Sequence, residues 1–326
     1  MPQIFYLMDS NSQKLAKKAI SDFIHLRKGD VLVGNVPGAD FSELPAQSLN
    51  AISEMGFIAE YYRGTGDTEV LSWAFEPAVR YLMLWNLNDD GLIVGRKGNW
   101  RWFDHLYNAD EDVLENAWYY SAIKFSQEMA NILDDHRFDS FLEERAESIL
   151  RSFDRCYFQG DYYSSKGIVD DRANAMAVLS GLCKKENYPK IRTILLSVFN
   201  ATTYMENYIL TALCKMNYRK DAYHRMMSRY YNLAQNENST LWEDFYILGT
   251  KNHAWSGAPA TIAFRYFMGI ETNDGYQTFR INYEKSLFKK MNCCFPAKNG
   301  TVTVNIDNEK GNVSILNQSD SRYIPY

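Results

Sequence analysis

The feature that most limits what this chain can fold into is helical periodicity that runs through most of its length with no strands between the helices. Leu15, Ala16, Ala19, Ile20 and Phe23 recur at helical spacing behind Asp9-Ser10-Asn11-Ser12, a segment suited to capping. Further helices are predicted over 45–62, ending near Gly64, and from Asp67 towards Trp85. Others are predicted near 112–134, 138–153, 171–183, 187–197, 203–216, 219–234 and 258–268. Asn88-Asp89-Asp90-Gly91 reads as a turn. Consecutive helices with short returns form antiparallel hairpins, and the lack of βαβ alternation argues against Rossmann and TIM architectures. No repeat of fixed period marks an open solenoid, so the hairpins are expected to close into an α/α barrel. The pattern changes after about residue 275. Val302, Val304 and Ile306 alternate with polar residues, Asp307 to Gly311 makes a turn, and Val313 and Ile315 alternate again. This is the signature of a β-hairpin, which needs a larger body to pack on.

Composition narrows the function classes. A net charge of −5 over 326 residues lacks the basic excess of a nucleic-acid binder. No apolar run approaches the roughly 18 residues of a membrane span, and Met1 to Tyr6 shows no basic stretch followed by an apolar core, so no signal peptide is read. The five cysteines, Cys156, Cys183, Cys214, Cys293 and Cys294, are odd in number and irregularly spaced, which suggests neither a disulfide framework nor a zinc site. Aromatic residues reach 15%, which serves either a large core or a site where sugar C–H faces lie on rings. GxSxG, Walker A, GxGxxG and HExxH motifs do not occur, and nothing calls for a cofactor.

Several segments concentrate chemistry-bearing residues. Thr240-Leu241-Trp242-Glu243-Asp244-Phe245 sets a carboxylate between aromatic rings on a loop, a setting for acid–base work. The same residues also fit a capping box, with Thr240 as cap and Glu243 three residues on. Asn252-His253-Ala254-Trp255-Ser256-Gly257 follows closely; His253 is placed to donate to a sugar hydroxyl or to Glu243, or to serve the structure alone. Asn99-Trp100-Arg101-Trp102-Phe103-Asp104-His105 packs three aromatics, Asp and His into one loop, where sites are commoner than in cores. Asp170 and Asp171 suit the start of a helix, as cap and as dipole partner, before the small Ala173, Ala175 and Ala177. Glu206, between Tyr204 and Tyr208, is a helix-start acid with either role open.

In order, these segments resemble the α-L-rhamnosidases of glycoside hydrolase family 78. The resemblance spans about residues 10 to 280. It includes Asn35-Val36-Pro37, Tyr61-Tyr62 with Gly64-Thr65-Gly66-Asp67, Asp90-Gly91-Leu92, Trp102-Phe103-Asp104, Asp170 to Ala175, Tyr204-Met205-Glu206, Thr240 to Glu243, Asn252 to Gly257, and Gly269-Ile270 before Gly275-Tyr276. It implies an all-α (α/α)6 toroid over 1–275, incomplete at its N-terminus, with a β-hairpin or the start of a β-sandwich over 276–326. It further implies inverting hydrolysis of terminal α-L-rhamnosides by two carboxyl groups spaced to admit a water, with a carbohydrate partner and no metal or cofactor. Glu243 matches the family's general base and His253 a sugar-contacting histidine. Trp102 and Asp104 fall in a pocket-lining loop, with Trp100, His105, Glu206, Trp242 and Trp255 as further substrate-binding candidates. Where the family commonly has Asp-Trp, this chain has Asp104-His105. The family's acid lies in a motif of the type Asp-Cys-Pro-x-Arg-Glu, which by spacing should end just before Met1. The chain is therefore expected to lack its own general acid, a loss of about 10²–10⁴ in rate. A sugar-binding barrel without chemistry, another α/α-toroid enzyme such as a lyase or uronyl hydrolase, and a plain helical scaffold are the alternative readings.

Overall fold

Alternation between fully buried helices and helices buried on one stripe builds the architecture. The computed structural model describes residues 10–34, 42–98, 103–104, 108–238, 240–246 and 249–325. Among them are eleven α-helices: α1 (Ser10–His25), α2 (Pro45–Ala51), α3 (Phe57–Thr65), α4 (Glu69–Met83), α5 (Glu111–Leu133), α6 (Asp139–Tyr157), α7 (Asp171–Leu179), α8 (Tyr188–Ser197), α9 (Thr203–Lys215), α10 (Arg219–Ala234) and α11 (Ala258–Ile262). Every residue of α7 is buried, as are most of α5 and α9. By contrast α6 buries only a stripe, Leu142, Ile149, Ser152, Phe153 and Tyr157, and α8 only Ile191 and Leu195. A helix apolar all round belongs inside and a striped one outside. The contacts agree: α2, α5, α7, α9 and α11 pack side by side as an inner layer, and α6, α8 and α10 each pack behind the inner helix they follow. The chain therefore runs in, out, in, out, as a toroid of helical hairpins. Ala173, Ala175 and Ala177, all fully enclosed, let α7 approach its neighbours closely.

Because the inner helices run the same way, their N-termini gather at one end. Asp110 caps α5, accepting from the Val113 amide at 3.4 Å. Its own amide donates to Asp170 Oδ2 at 3.0 Å, across to the cap of α7. The residues that head the inner helices, Asp110 before α5, Asp170 before α7 and Thr202 before α9, therefore lie at this end.

Three boundaries differ from the sequence expectation, and the first is simple: the helix predicted over 138–153 runs on to Tyr157. The single helix predicted over 45–62 is two helices, because the chain folds back on itself at Gly56. A Cβ there would lie 2.2 Å from the Asn50 carbonyl oxygen, so the return accepts only glycine. The helix predicted to 183 stops at Leu179, followed by Gly181 in the left-handed region at φ 81°.

The C-terminal strands form two small sheets. β3 (Lys290–Ala297), β4 (Gly300–Asp307) and β5 (Asn312–Gln318) are antiparallel; β1 (Ile270–Glu271), β2 (Thr278–Ile281) and β6 (Arg322–Tyr323) form the second sheet. The expected hairpin is β4–β5, and β3 completes it in register, with Phe295 opposite Val302 and Cys293 opposite Val304. Phe295, Val302, Val304 and Ile306 bury one face against Phe264, Met268, Tyr276 and Phe279, a core separate from that of the helices. No helix of the described residues is long and apolar enough to cross a membrane.

Candidate active site

The loop 240–257 lies over the N-terminus of α9 and carries Glu243. It is braced across itself: the Glu243 amide donates to the Thr250 carbonyl at 2.9 Å and the His253 amide to the Leu241 carbonyl at 2.7 Å. The half-buried Glu243 carboxylate takes two bonds on Oε2, from the Thr250 amide at 2.7 Å and the Thr250 hydroxyl at 2.9 Å. Its carbonyl takes two more, from the Thr203 hydroxyl at 2.6 Å and the Trp255 indole at 2.9 Å. Gly249 lies so close that a Cβ there would meet Glu243 Oε2 at 2.5 Å. These bonds replace the capping role that the Thr240–Glu243 spacing allowed, since no helix follows Thr240.

Rings pack along the same loop. His253 stacks on Trp255 with centroids 3.9 Å apart, and Tyr204 of α9 lies 5.4 Å from Trp255. Tyr204 also meets Tyr208, which meets Trp118 of α5. Phe103 stacks flat on Trp118 at 5.5 Å, which anchors the segment bearing Asp104. Trp242 turns its ring inward, 4% exposed, beneath the Lys251 ammonium.

Behind this surface lies a buried charge network. Arg225 of α10 donates through Nε to Glu206 Oε1 at 2.6 Å and through Nη2 to Glu206 Oε2 at 2.9 Å and Asp171 Oδ2 at 2.8 Å. Arg229 reaches Glu206 Oε2 at 3.5 Å and lays its guanidinium 3.9 Å over the ring of Phe245, two residues from Glu243. Alongside, Arg172 donates to Asp170 Oδ1 at 2.7 Å and stands 4.0 Å from Asp104 Oδ2. Glu206 and the side chain of Asp104 are both wholly enclosed.

Among the described residues, Asp104, Asp170, Asp171 and Glu206 thus face Arg172, Arg225 and Arg229. Burial pushes Asp171 up to about 6; Arg225 pulls the other way, and Asp170 and Glu206 add to the rise. A carboxyl whose folded value is raised holds its proton better folded than unfolded. Its contribution to stability is therefore full below the ordinary value of 3.8 and falls as pH rises to about 6, then levels. Asp171→Asn should remove that slope, amounting to up to about 3 kcal/mol. Urea midpoints of both proteins from pH 4 to pH 8 check it, and parallel curves would refute it.

The structure thus brings Glu243, Trp242, His253 and Trp255 together in one loop, ties Asp104 to the same place through α9, and sets Glu206 behind it. Trp100, Trp102, His105 and the Asn35-Val36-Pro37 loop lie outside the described residues. Sequence reading missed Thr202, Thr203, Gly249, Arg225 and Arg229. The Thr202-Thr203 pair before Tyr204 was available as a cap signal; the arginines join residues up to 54 positions away and left none. Among the described residues no group of three His, Cys, Asp or Glu side chains is arranged to hold a metal ion.

Residues 10–267 match the family model described as the bacterial alpha-L-rhamnosidase 6 hairpin glycosidase domain. The chain belongs to that family. No curated protein matches it. Among solved structures, the rhamnosidase-family domain is similar to a GH78 rhamnosidase of Bacillus sp. GL1, with TM-score 0.76, 16% identity, and coverage of 96% of this chain and 38% of that one. It is also similar to an alpha-L-rhamnosidase from Dictyoglumus thermophilum, with TM-score 0.80, 16% identity, and coverage of 100% and 40%. A third, the Streptomyces avermitilis alpha-L-rhamnosidase complexed with L-rhamnose, gives TM-score 0.79, 16% identity, and coverage of 96% and 32%. The chain thus spans between 32% and 40% of the length of these proteins. At that identity the likeness establishes the fold: the toroid of six-hairpin glycosidases.

Proposed function

We propose that this rhamnosidase-family domain acts on terminal α-L-rhamnosides with inversion at the anomeric carbon, that Glu243 takes the proton from the attacking water, and that an aryl rhamnoside is the substrate cleaved by this chain, because its phenolate leaves without a proton from an acid. The observation that carries this reading is the setting of Glu243: a half-buried carboxylate, one oxygen fixed by Thr250, at the N-terminal end of the inner helices beside the stacked His253–Trp255 pair. A base must be pre-aimed to be effective, and ring faces are what sugar C–H faces pack on. A structure of the same fold holds L-rhamnose, which supports rhamnose as the sugar. On this reading His253 and Trp255 meet the sugar, Trp242 backs the loop, and Trp100, Trp102 and His105 are further contacts. The chain divides near residue 275 into the catalytic barrel and a β segment.

Release of p-nitrophenol from p-nitrophenyl α-L-rhamnopyranoside by this chain and by Glu243→Gln tests it. Loss of about 10²-fold or more in the variant is the expected outcome. Equal hydrolysis by both would remove Glu243 as the base. Hydrolysis by neither, with rhamnose still changing tryptophan fluorescence, would leave a sugar-binding barrel without chemistry.

A further inference from the structure

Three successive residues at the start of α9 reach in three directions. Thr202 turns to Asp104: its amide donates to Oδ2 at 2.8 Å and its hydroxyl to Oδ1. Thr203 turns to the loop of the base and donates to the Glu243 carbonyl at 2.6 Å. Beside it, 2.7 Å away, the Ser256 hydroxyl donates to the Trp242 carbonyl, so one hydroxyl proton serves each of two consecutive carbonyls. Tyr204 lies against Trp255, whose indole supplies the second bond to the Glu243 carbonyl. Both lone pairs of that carbonyl are taken, so the backbone of Glu243 is clamped to α9, and α9 is pinned in turn by a carboxylate from a different loop.

We propose that Thr203 is a positioning residue for Glu243, and that Asp104 acts on Glu243 at second hand, through Thr202, and not on the sugar. The enclosure of the Asp104 side chain removes it from substrate, and its two bonds to Thr202 fix the first turn of α9. The catalytic part of this inference rests on Glu243 being the base; the clamp does not.

The Trp255 indole N–H is a direct reporter, because its bond ends on the Glu243 carbonyl. In ¹⁵N-labelled protein the seven tryptophans give seven indole resonances, and Trp255→Phe identifies the one that matters. Thr203→Val, which keeps the shape and removes the hydroxyl, should shift or broaden that resonance and leave most of the others in place. It should lower kcat for the aryl rhamnoside by about 10–10²-fold with KM within about twofold. Thr203→Ser should restore both. Asp104→Asn should move the same resonance by less, and keeps the test alive if Thr203→Val does not fold. An unmoved Trp255 resonance in folded Thr203→Val or Asp104→Asn overturns the proposal. A moved resonance with unchanged kcat overturns only the role in catalysis, and so separates failure of Glu243 as base from failure of the clamp.

Discussion

Arg225→Leu is expected to cost the fold about 3–5 kcal/mol. All five guanidinium donors of Arg225 are used. Two go to Glu206, one to Asp171, one to the Val198 carbonyl at 2.9 Å and one to the Leu195 carbonyl. Phe199 covers the cation at 4.7 Å, and Glu206 and Asp171 are fully enclosed. Removing the arginine would strand the Asp171 carboxylate out of water and leave Glu206 with Arg229 alone at 3.5 Å, and the cost comes from that stranding more than from the lost attraction. Lysine keeps the charge but lacks the planar fork, so Arg225→Lys should fall between leucine and the native protein. The comparison is Arg137→Ala, whose fork to Asp135 sits at the surface, where solvent screening leaves it little weight. Thermal unfolding followed by circular dichroism measures all three. Equal losses in Arg225→Leu and Arg137→Ala would show that the buried network does not support the barrel.

Gly249→Ala should act on the loop of Glu243 and not on the buried network, and remove most of the activity. The added methyl would sit 2.5 Å from Glu243 Oε2, inside any allowed contact. Glu243 Cβ and Cδ lie within 2.7 Å of the added methyl as well, so rotating the side chain alone does not relieve the clash; the loop backbone at Glu243 shifts and the carboxylate swings with it. That swing breaks the two bonds from Thr250 that aim the base. A displacement of about 1 Å at a reacting group is worth roughly 10² in rate. Steady-state kinetics on the aryl rhamnoside should therefore show kcat down about 10²-fold or more, beside an unfolding midpoint lowered less than in Arg225→Leu. A variant as active as the native protein would mean that the loop accommodates the methyl without moving Glu243.

The helical body was legible because its cause is local. Spacing along α5, α9 and α10 gives their extents to within a residue or two, since amphipathic and fully apolar faces are written in consecutive residues. The break at Gly56 was not legible, because it depends on the carbonyl of Asn50 lying underneath, a tertiary fact. β3 was missed for a similar reason: Asn292, Cys293, Cys294 and Pro296 make a poor strand until β4 supplies its partner. At the site, the motifs located Glu243, His253 and Trp255 but not what holds them. Asp104 and Glu206 stood out as carboxylates next to aromatics, and only the folded chain shows Asp104 spent on Thr202 and Glu206 on Arg225 and Arg229. Residue type identifies a charge; its partner decides whether that charge meets solvent.

The two ends of the toroid carry unequal constraints. On the far side from Glu243 the returns are brief, over 134–138, 180–187 and 216–218, and they sit beyond the C-termini of α5, α7 and α9. The thirteen residues of α9 put about 20 Å between that side and the loop bearing Glu243. A surface tether, a fluorophore or an inserted peptide placed in those returns would therefore leave that loop undisturbed. A change at Glu243, Thr250 or Trp255, in contrast, acts directly on the bonds that hold the Glu243 backbone and carboxylate.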